Sequence, residues 1–307
     1  AGVDGYMLHP HGRVSEVQRR QMTTVLDANI HNIAIDGNFD DAQAIVKAMF
    51  NDAAFAARFP LAAVNSINWA RLLFQVVYYF TSALSLGAPH RAVSYAVPTG
   101  NFGDVFAGYV AAQMGLPIER LVVATNRNDI LHRALTSGDY SAGTVAPTDA
   151  PSMDIQVSSN FERLLFDLSG RDAAALAAAM AEFEATRKLA LPKAWLDKAG
   201  LFTSARVDAE EMSDTMRWAL ANTGELLDPH TAIGLAAARR DSGSAPMVTL
   251  ATAHPAKFPA AVQAATGVHP DLPARLADLM TRTERYDTAP ANLQAIEAYI
   301  AERARAK

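Results

Sequence analysis

No cysteine occurs anywhere in the 307 residues, which excludes disulfides, thiolate metal sites and cysteine nucleophiles together. Charge is modest at 19% of residues, and 27 basic against 32 acidic side chains leave a formal net charge of -5. That balance offers no basic footprint for nucleic acid or for an anionic membrane surface. Long hydrophobic runs are missing as well. The longest apolar stretch, residues 72–86, is interrupted by Gln75, Thr81 and Ser82 and is too short to span a bilayer. No repeat stands out beyond a richness in alanine. What is present, with half of the residues hydrophobic, is the composition of a globular protein of one large or two medium domains. A cytoplasmic enzyme or binding protein is the expectation.

Neither a methionine nor a signal peptide opens the chain. Residues 3–8 already read as a strand with no earlier element to pair with, so the parent sequence is expected to start upstream. A turn at His9-Pro10-His11-Gly12 leads to a helix capped by Ser15, then to a strand at 30–35 and an amphipathic helix at 40–50. Such alternation argues for parallel βαβ units. Residues 1–62 are expected to be the remainder of a smaller α/β domain, and 63–307 a larger one. Within the larger, helices with no strand between them mark a helical insertion at about 135–222. The α/β pattern resumes with Asp228 capping a helix that has Pro229 at its first position, followed by a strand at 247–251. Residues 271–307 read as two terminal helices.

The most informative stretch is Pro98-Thr99-Gly100-Asn101-Phe102-Gly103-Asp104. A short apolar strand precedes it, and a helix stopped by Gly115 and Pro117 follows it. Two glycines let the backbone approach a ligand, while the free N–H groups of the first helical turn favour an anion. A Walker loop would need a Lys-Ser/Thr pair where Asp104 and Val105 stand, and a dinucleotide fingerprint would need G-x-G-x-x-G in place of G-x-x-G. A single phosphate monoester fits better, against the plainer alternative of ordinary turn chemistry. Because ligands of parallel sheets bind outside the carboxyl ends of strands, residues 126–129 and 252–254 are expected to share the crevice.

Other polar groups carry two readings each. His9 and His11 form either a metal pair or a polar turn, and His254 is either an active-site group or a hydrogen-bonded loop histidine. Lys257 is a Schiff-base candidate or a solvated lysine. Asn65 and Asn68 exceed what a helix cap needs once Ser66 is taken as the N-cap, so they are candidates to reach a ligand. Arg163, Arg171, Arg239 and Arg240 are expected at the surface.

Taken together, the segments at 65–68, 98–104, 124–129, 228–232 (Asp-Pro-His-Thr-Ala) and 252–258 (Thr-Ala-His-Pro-Ala-Lys-Phe), with Ser159-Asn160-Phe161-Glu162-Arg163-Leu164-Leu165 in the insertion, resemble the threonine synthase family in its longer bacterial and fungal form. The resemblance implies a pyridoxal-phosphate enzyme of fold type II, α/β and tryptophan-synthase-β-like, with parallel sheets flanked by helices. It implies that Gly100, Asn101, Phe102, Gly103 and Asp104 hold the cofactor phosphate and that Thr252 sets its hydroxyl beside the pyridine nitrogen. The implied reaction is that of a carbon–oxygen lyase, converting O-phospho-L-homoserine and water into L-threonine and phosphate. A monomer or homodimer is expected, with no metal, nucleic acid or membrane partner. In the family the Schiff-base lysine lies in a His-Gly-Pro-Thr-Leu-Ala-Phe-Lys-Asp-like motif that does not occur here. That motif is expected upstream of Ala1, Lys257 does not match it, and no catalytic residue is assigned in this chain. The alternative is an inactive threonine-synthase-like protein that only binds a phosphorylated ligand.

Overall fold

The structure, a computed structural model, describes residues 2–66 and 68–305; Ile67, inside the 65–68 motif, lies outside the described residues. Along the chain run β1 (Gly5–Pro10), α1 (Glu16–Thr23), β2 (Ile30–Asp36), α2 (Phe39–Asn51), α3 (Ala53–Arg58) and α4 (Trp69–Ser85). Next come β3 (Val93–Pro98), α5 (Gly103–Gln113), β4 (Ile118–Thr125), α6 (Ile130–Ser137), α7 (Phe161–Leu168), α8 (Ala173–Thr186) and α9 (Lys193–Leu196). The chain closes with β5 (Phe202–Arg206), α10 (Ala209–Thr223), α11 (Pro229–Arg240), β6 (Met247–Thr249), α12 (Pro259–Thr266), β7 (Asp287–Pro290) and α13 (Leu293–Arg303). Two compact units result: residues 1–63 with 271–307, and residues 64–270.

In the first unit a parallel sheet runs in the order β1-β2-β7. Ile33 and Ile35 of β2 are buried with Ala42, Ile45 and Met49 of α2 and with Ile296 and Ile300 of α13. This corrects the expectation that 271–307 belongs to the larger domain as two packing helices. Among the described residues one α-helix forms there, after two single 3-10 turns, and β7 adds a strand to the small sheet. Glu284 ties the segment down, accepting from Arg19 Nε at 2.8 Å and Thr23 Oγ1 at 2.7 Å. The hydrogen bond from Arg19, above all, holds its carboxyl at about 2, below the usual range. Four residues ending in proline carry almost no strand signal.

The second unit holds a parallel sheet in the order β5-β4-β3-β6. All six residues of β3 are buried, as expected of a central strand covered on both faces. On one face Leu72, Val76 and Tyr79 of α4 pack with Val105 and Ala111 of α5 and Leu121 of β4. On the other, Ala96, Val122 and Ala124 meet Ala232, Ile233 and Ala236 of α11. The segment at 135–222 is not wholly helical: β5 lies inside it and pairs with β4 from Leu121↔Phe202 to Thr125↔Arg206. As a five-residue edge strand with three polar residues, β5 lacks the apolar alternation that marks a strand in sequence. At the start of α4 the capping residue is Asn68, whose side chain accepts from the Ala70 N–H at 2.9 Å, and not Ser66. Among the described residues no helix is long and apolar enough to cross a membrane.

Where α5 crosses under α4, Gly108 lets the two approach: a Cβ there would lie 2.7 Å from the Tyr79 ring and 2.9 Å from Leu121 Cδ2. Gly→Ala inside a helix gains about 1 kcal/mol of propensity, while overpacking a filled core costs about 1–3 kcal/mol. Because Tyr79 is fully buried and its hydroxyl is bonded to the Asp104 carbonyl at 2.9 Å, the ring has little room to yield. Gly108→Ala is expected to lower the denaturation midpoint; a rise of the midpoint in thermal unfolding would show that the helices can move apart.

Candidate functional site

The buried strand β3 delivers Thr99 to the carboxyl edge of the sheet, where its N–H donates to the Ala124 carbonyl at 2.8 Å. Past Thr99 the chain must turn at once into α5. It does so through Phe102, which takes the left-handed conformation (φ 63°) and gives α5 no side-chain cap. Left-handed backbone costs a non-glycine residue about 1–2 kcal/mol. Burial of the ring, 5.1 Å from Phe161 and 5.8 Å from Phe202, offsets it with about 1.5–3 kcal/mol. The first amide to return into the helix is that of Phe106, to the Phe102 carbonyl at 3.0 Å. Those before it have no intrahelical acceptor.

The carbonyls of the same turn are already taken. Ser158 Oγ donates to the Gly100 carbonyl at 2.8 Å, and the Asn101 carbonyl accepts from Asn160 N at 3.1 Å and Asn160 Nδ2 at 3.0 Å. Asn160 Nδ2 reaches the Ser66 carbonyl too, at 2.9 Å, and Ser159 Oγ meets Asn101 Oδ1 at 3.3 Å. What these peptides still have to offer is their N–H groups, which suits the turn to an anion. Gly100 is required by what lies behind it: a Cβ would stand 2.5 Å from the Ser152 carbonyl oxygen.

Two hollows adjoin the cradle. A smaller one of about 150 Å³ is bounded by Pro98 to Asp104 together with Ser66, Arg71 and Gln75. A larger one of about 700 Å³ is bounded by Gln75, Tyr78, Ser82, Asp104 and Thr252, among others. Gln75 and Asp104 line both. The structure therefore places the expected ligand residues Gly100, Asn101, Phe102, Gly103 and Asp104 on the smaller hollow, and Thr252, with Asp104, on the larger one beside it.

Several expected neighbours stand elsewhere. Asn126 and Asn128 are buried in a network of their own: both donate to Asp154 Oδ1, at 2.7 and 2.9 Å, and Thr148 Oγ1 joins them at 2.7 Å. They fasten the 146–154 loop and line neither hollow. His254 is a cap, its Nδ1 accepting from the Ala256 N–H at 3.2 Å. Lys257 sets its ammonium 5.7 Å from the Phe258 ring centre and lines neither hollow. His9 is buried edge-on to Tyr286, and burial lowers its pKa. His11 Nδ1 lies 3.8 Å from Asp36. Among the described residues no group of three or more His, Asp or Glu is placed to hold a metal ion. Arg163 bonds Asn160 Oδ1 at 3.0 Å, Arg171 pairs with Asp167 at 2.8 Å, Arg239 lies over the Trp218 ring and Arg240 pairs with Glu211.

Sequence reasoning passed over Arg71, Gln75, Tyr78, Ser82 and Ser85, which all line the hollows from α4. Their spacing of four, three, four and three was visible as one polar stripe along an apolar helix. Tyr78 donates to Asp104 Oδ1 and Tyr79 to the same oxygen at 3.2 Å. Burial raises the pKa of both hydroxyls, Tyr79's well above the usual value, and the adjacent Asp104 adds to this. Asp104 itself is pushed up to about 6 by desolvation, against the opposing pull of the two tyrosine hydrogen bonds.

A carboxyl raised from 3.8 to about 6 stabilises the fold fully below the unfolded value and loses that contribution as pH rises through about 6. At about 1.4 kcal/mol per unit, the loss is about 3 kcal/mol. Asp104→Asn is thus expected to gain in denaturation midpoint over the parent as pH goes from 4 to 7. A difference independent of pH, followed by calorimetry, would contradict the assignment.

A family model described as "Threonine synthase, C-terminal" matches residues 231–300. Threonine synthase from Pseudomonas aeruginosa is 57% identical over 304 residues, which covers 98% of this chain and 65% of that protein. The crystal structure of PLP-bound threonine synthase from Brucella melitensis superposes with a TM-score of 0.94 at 55% identity, over 99% of this chain and 66% of that one. That of yeast threonine synthase superposes with a TM-score of 0.88 at 39% identity, over 98% and 65%. The chain thus spans 65% of the length of the Pseudomonas relative, and its architecture is fold type II of the PLP-dependent enzymes. Sequence and fold together place the chain in the threonine synthase family, over the part of that family's length that it spans.

Proposed function

We propose that this chain is the cofactor-holding part of a cytoplasmic threonine synthase, a carbon–oxygen lyase that turns O-phospho-L-homoserine and water into L-threonine and phosphate. One observation carries the reading: an uncapped helix start with its carbonyls taken opens on a hollow that shares Gln75 and Asp104 with the neighbouring one that Thr252 lines. A phosphate at one end and a flat ring reaching Thr252 at the other suit that arrangement, and the donor set fits pyridoxal phosphate. Gly100 to Asp104 hold the phosphate through main-chain N–H groups. Arg71, on the wall of the smaller hollow, adds the full positive charge that peptide dipoles lack.

Thr252 presents a neutral hydroxyl to the ring nitrogen and so does not favour its protonation as a carboxylate would. When bound, pyridoxal phosphate supplies the conjugated ring that takes up the electron pair left at a substrate carbon. Tyr78, its hydroxyl given to Asp104 and its pKa raised, orients that carboxyl and is no base at neutral pH. Lys257 is assigned no part in the chemistry.

The test is phosphate release by the protein expressed from its complete gene, with pyridoxal phosphate added. O-phospho-L-homoserine should be consumed with L-threonine formed, and O-phospho-L-threonine should not. Bound cofactor without phosphate release would instead identify a binder without activity. Gly100→Ala, whose Cβ meets the Ser152 carbonyl, should weaken cofactor retention at least tenfold by equilibrium dialysis; unchanged retention would refute the cradle.

A further inference from the structure

The Asp-Pro-His-Thr-Ala motif at 228–232 lines neither hollow, yet its first residue is the most enclosed acid among the described residues of the second unit. Asp228 is 0% exposed and caps α11 by accepting from His230 N at 2.9 Å and Thr231 N at 3.3 Å. A serine or asparagine would cap a helix as well, and enclosing a carboxyl away from water costs several kcal/mol unless every lone pair is used. Two further donors use them: His230 Nδ1 on Oδ1 at 2.9 Å, and Thr231 Oγ1 on Oδ2. Both of these side chains pass the connection on.

Thr231 Oγ1 accepts the N–H of Thr252 at 3.2 Å. His230 Nε2 accepts the N–H of Ser152 at 3.2 Å, which leaves the ring proton on Nδ1, toward Asp228. The ring itself is held 4.7 Å from that of Phe258. Ser152 in turn is the residue whose carbonyl backs Gly100, so closely that a Cβ would stand 2.5 Å away. One carboxyl thus anchors two arms. Through Oδ2 it reaches the residue assigned to the ring nitrogen, and through Oδ1 the turn behind the phosphate cradle.

We propose that Asp228 is a positioning residue that, through Thr231 and His230, fixes Thr252 and the Gly100–Asp104 cradle relative to each other, an inference that rests on the cofactor reading above. The arms are separable, and that separates positioning from plain stability. Thr231→Val keeps the shape and removes the link to Thr252; His230→Asn keeps a donor for Asp228 and loses the acceptor for Ser152.

The experiment titrates the complete protein and both variants with pyridoxal phosphate, reading the absorption maximum of the bound cofactor and its 31P resonance. Thr231→Val should displace the absorption maximum and leave the 31P shift and the affinity within twofold, with Thr231→Ser restoring the parent spectrum. His230→Asn should move the 31P resonance and weaken binding at least tenfold with the absorption maximum unchanged. Variants that bind with both readouts unaltered, or that shift both readouts together in step with a lowered denaturation midpoint, overturn the proposal. If the parent protein itself shows neither signal, the cofactor reading falls, and this inference with it.

Discussion

A helix that begins without a cap governs the second unit. The chain leaves a fully buried strand and must enter α5 within four residues, and it does so by holding Phe102 in the left-handed region. Such strain persists only where its surroundings over-determine it. Here the ring of Phe102 lies among Phe161 and Phe202, and the carbonyls of Gly100 and Asn101 are bound by Ser158 and Asn160. The amide groups at the start of α5 are thus fixed in place before any ligand arrives. Preorganised donors of this kind bind an anion without having to reorganise around it.

The rest of the unit supports that turn from several directions. The loop carrying Ser158 and Asn160 is pinned upstream by the Asn126, Asn128 and Asp154 network, and the strand end with Thr252 is held through Thr231. The larger hollow takes its polar wall from α4, the same helix whose Leu72, Val76 and Tyr79 fill the core beneath. One helix therefore divides its faces between stability and the site. Asp104 stands where those demands meet, because it shares a helix turn with the cradle and yet depends on Tyr78 and Tyr79 for its hydrogen bonds.

Much of this was legible beforehand, for physical reasons. Strand β3 is apolar but for Ser94, two glycines follow, and α5 is regular to its end, so local chemistry and the final fold agree there. Elements that depend on partners were not legible. β5 and β7 are five and four residues long and exist because β4 and β2 present open edges to them. The polar residues after β4 illustrate the opposite error: Asn126 and Asn128 stand at a strand end, where ligands bind, but their amides are spent on Asp154, the Thr148 hydroxyl and the Ala146 carbonyl. Position along a strand told where polar groups stand; it did not tell whether their hydrogen bonds were already used. The stripe from Arg71 to Ser85 was present in the sequence, hidden because the apolar residues around it gave the stronger signal.

The account stands or falls on what the first turn of α5 holds. The most direct measurement is a crystal structure of the protein grown with pyridoxal phosphate, in which the phosphorus can be located. It should lie at the N-terminus of α5, with phosphate oxygens within hydrogen-bond distance of the N–H groups between Gly100 and Asp104, and with the ring nitrogen beside the Thr252 hydroxyl. Cofactor density centred elsewhere in the chain, with that turn left to water, would contradict it.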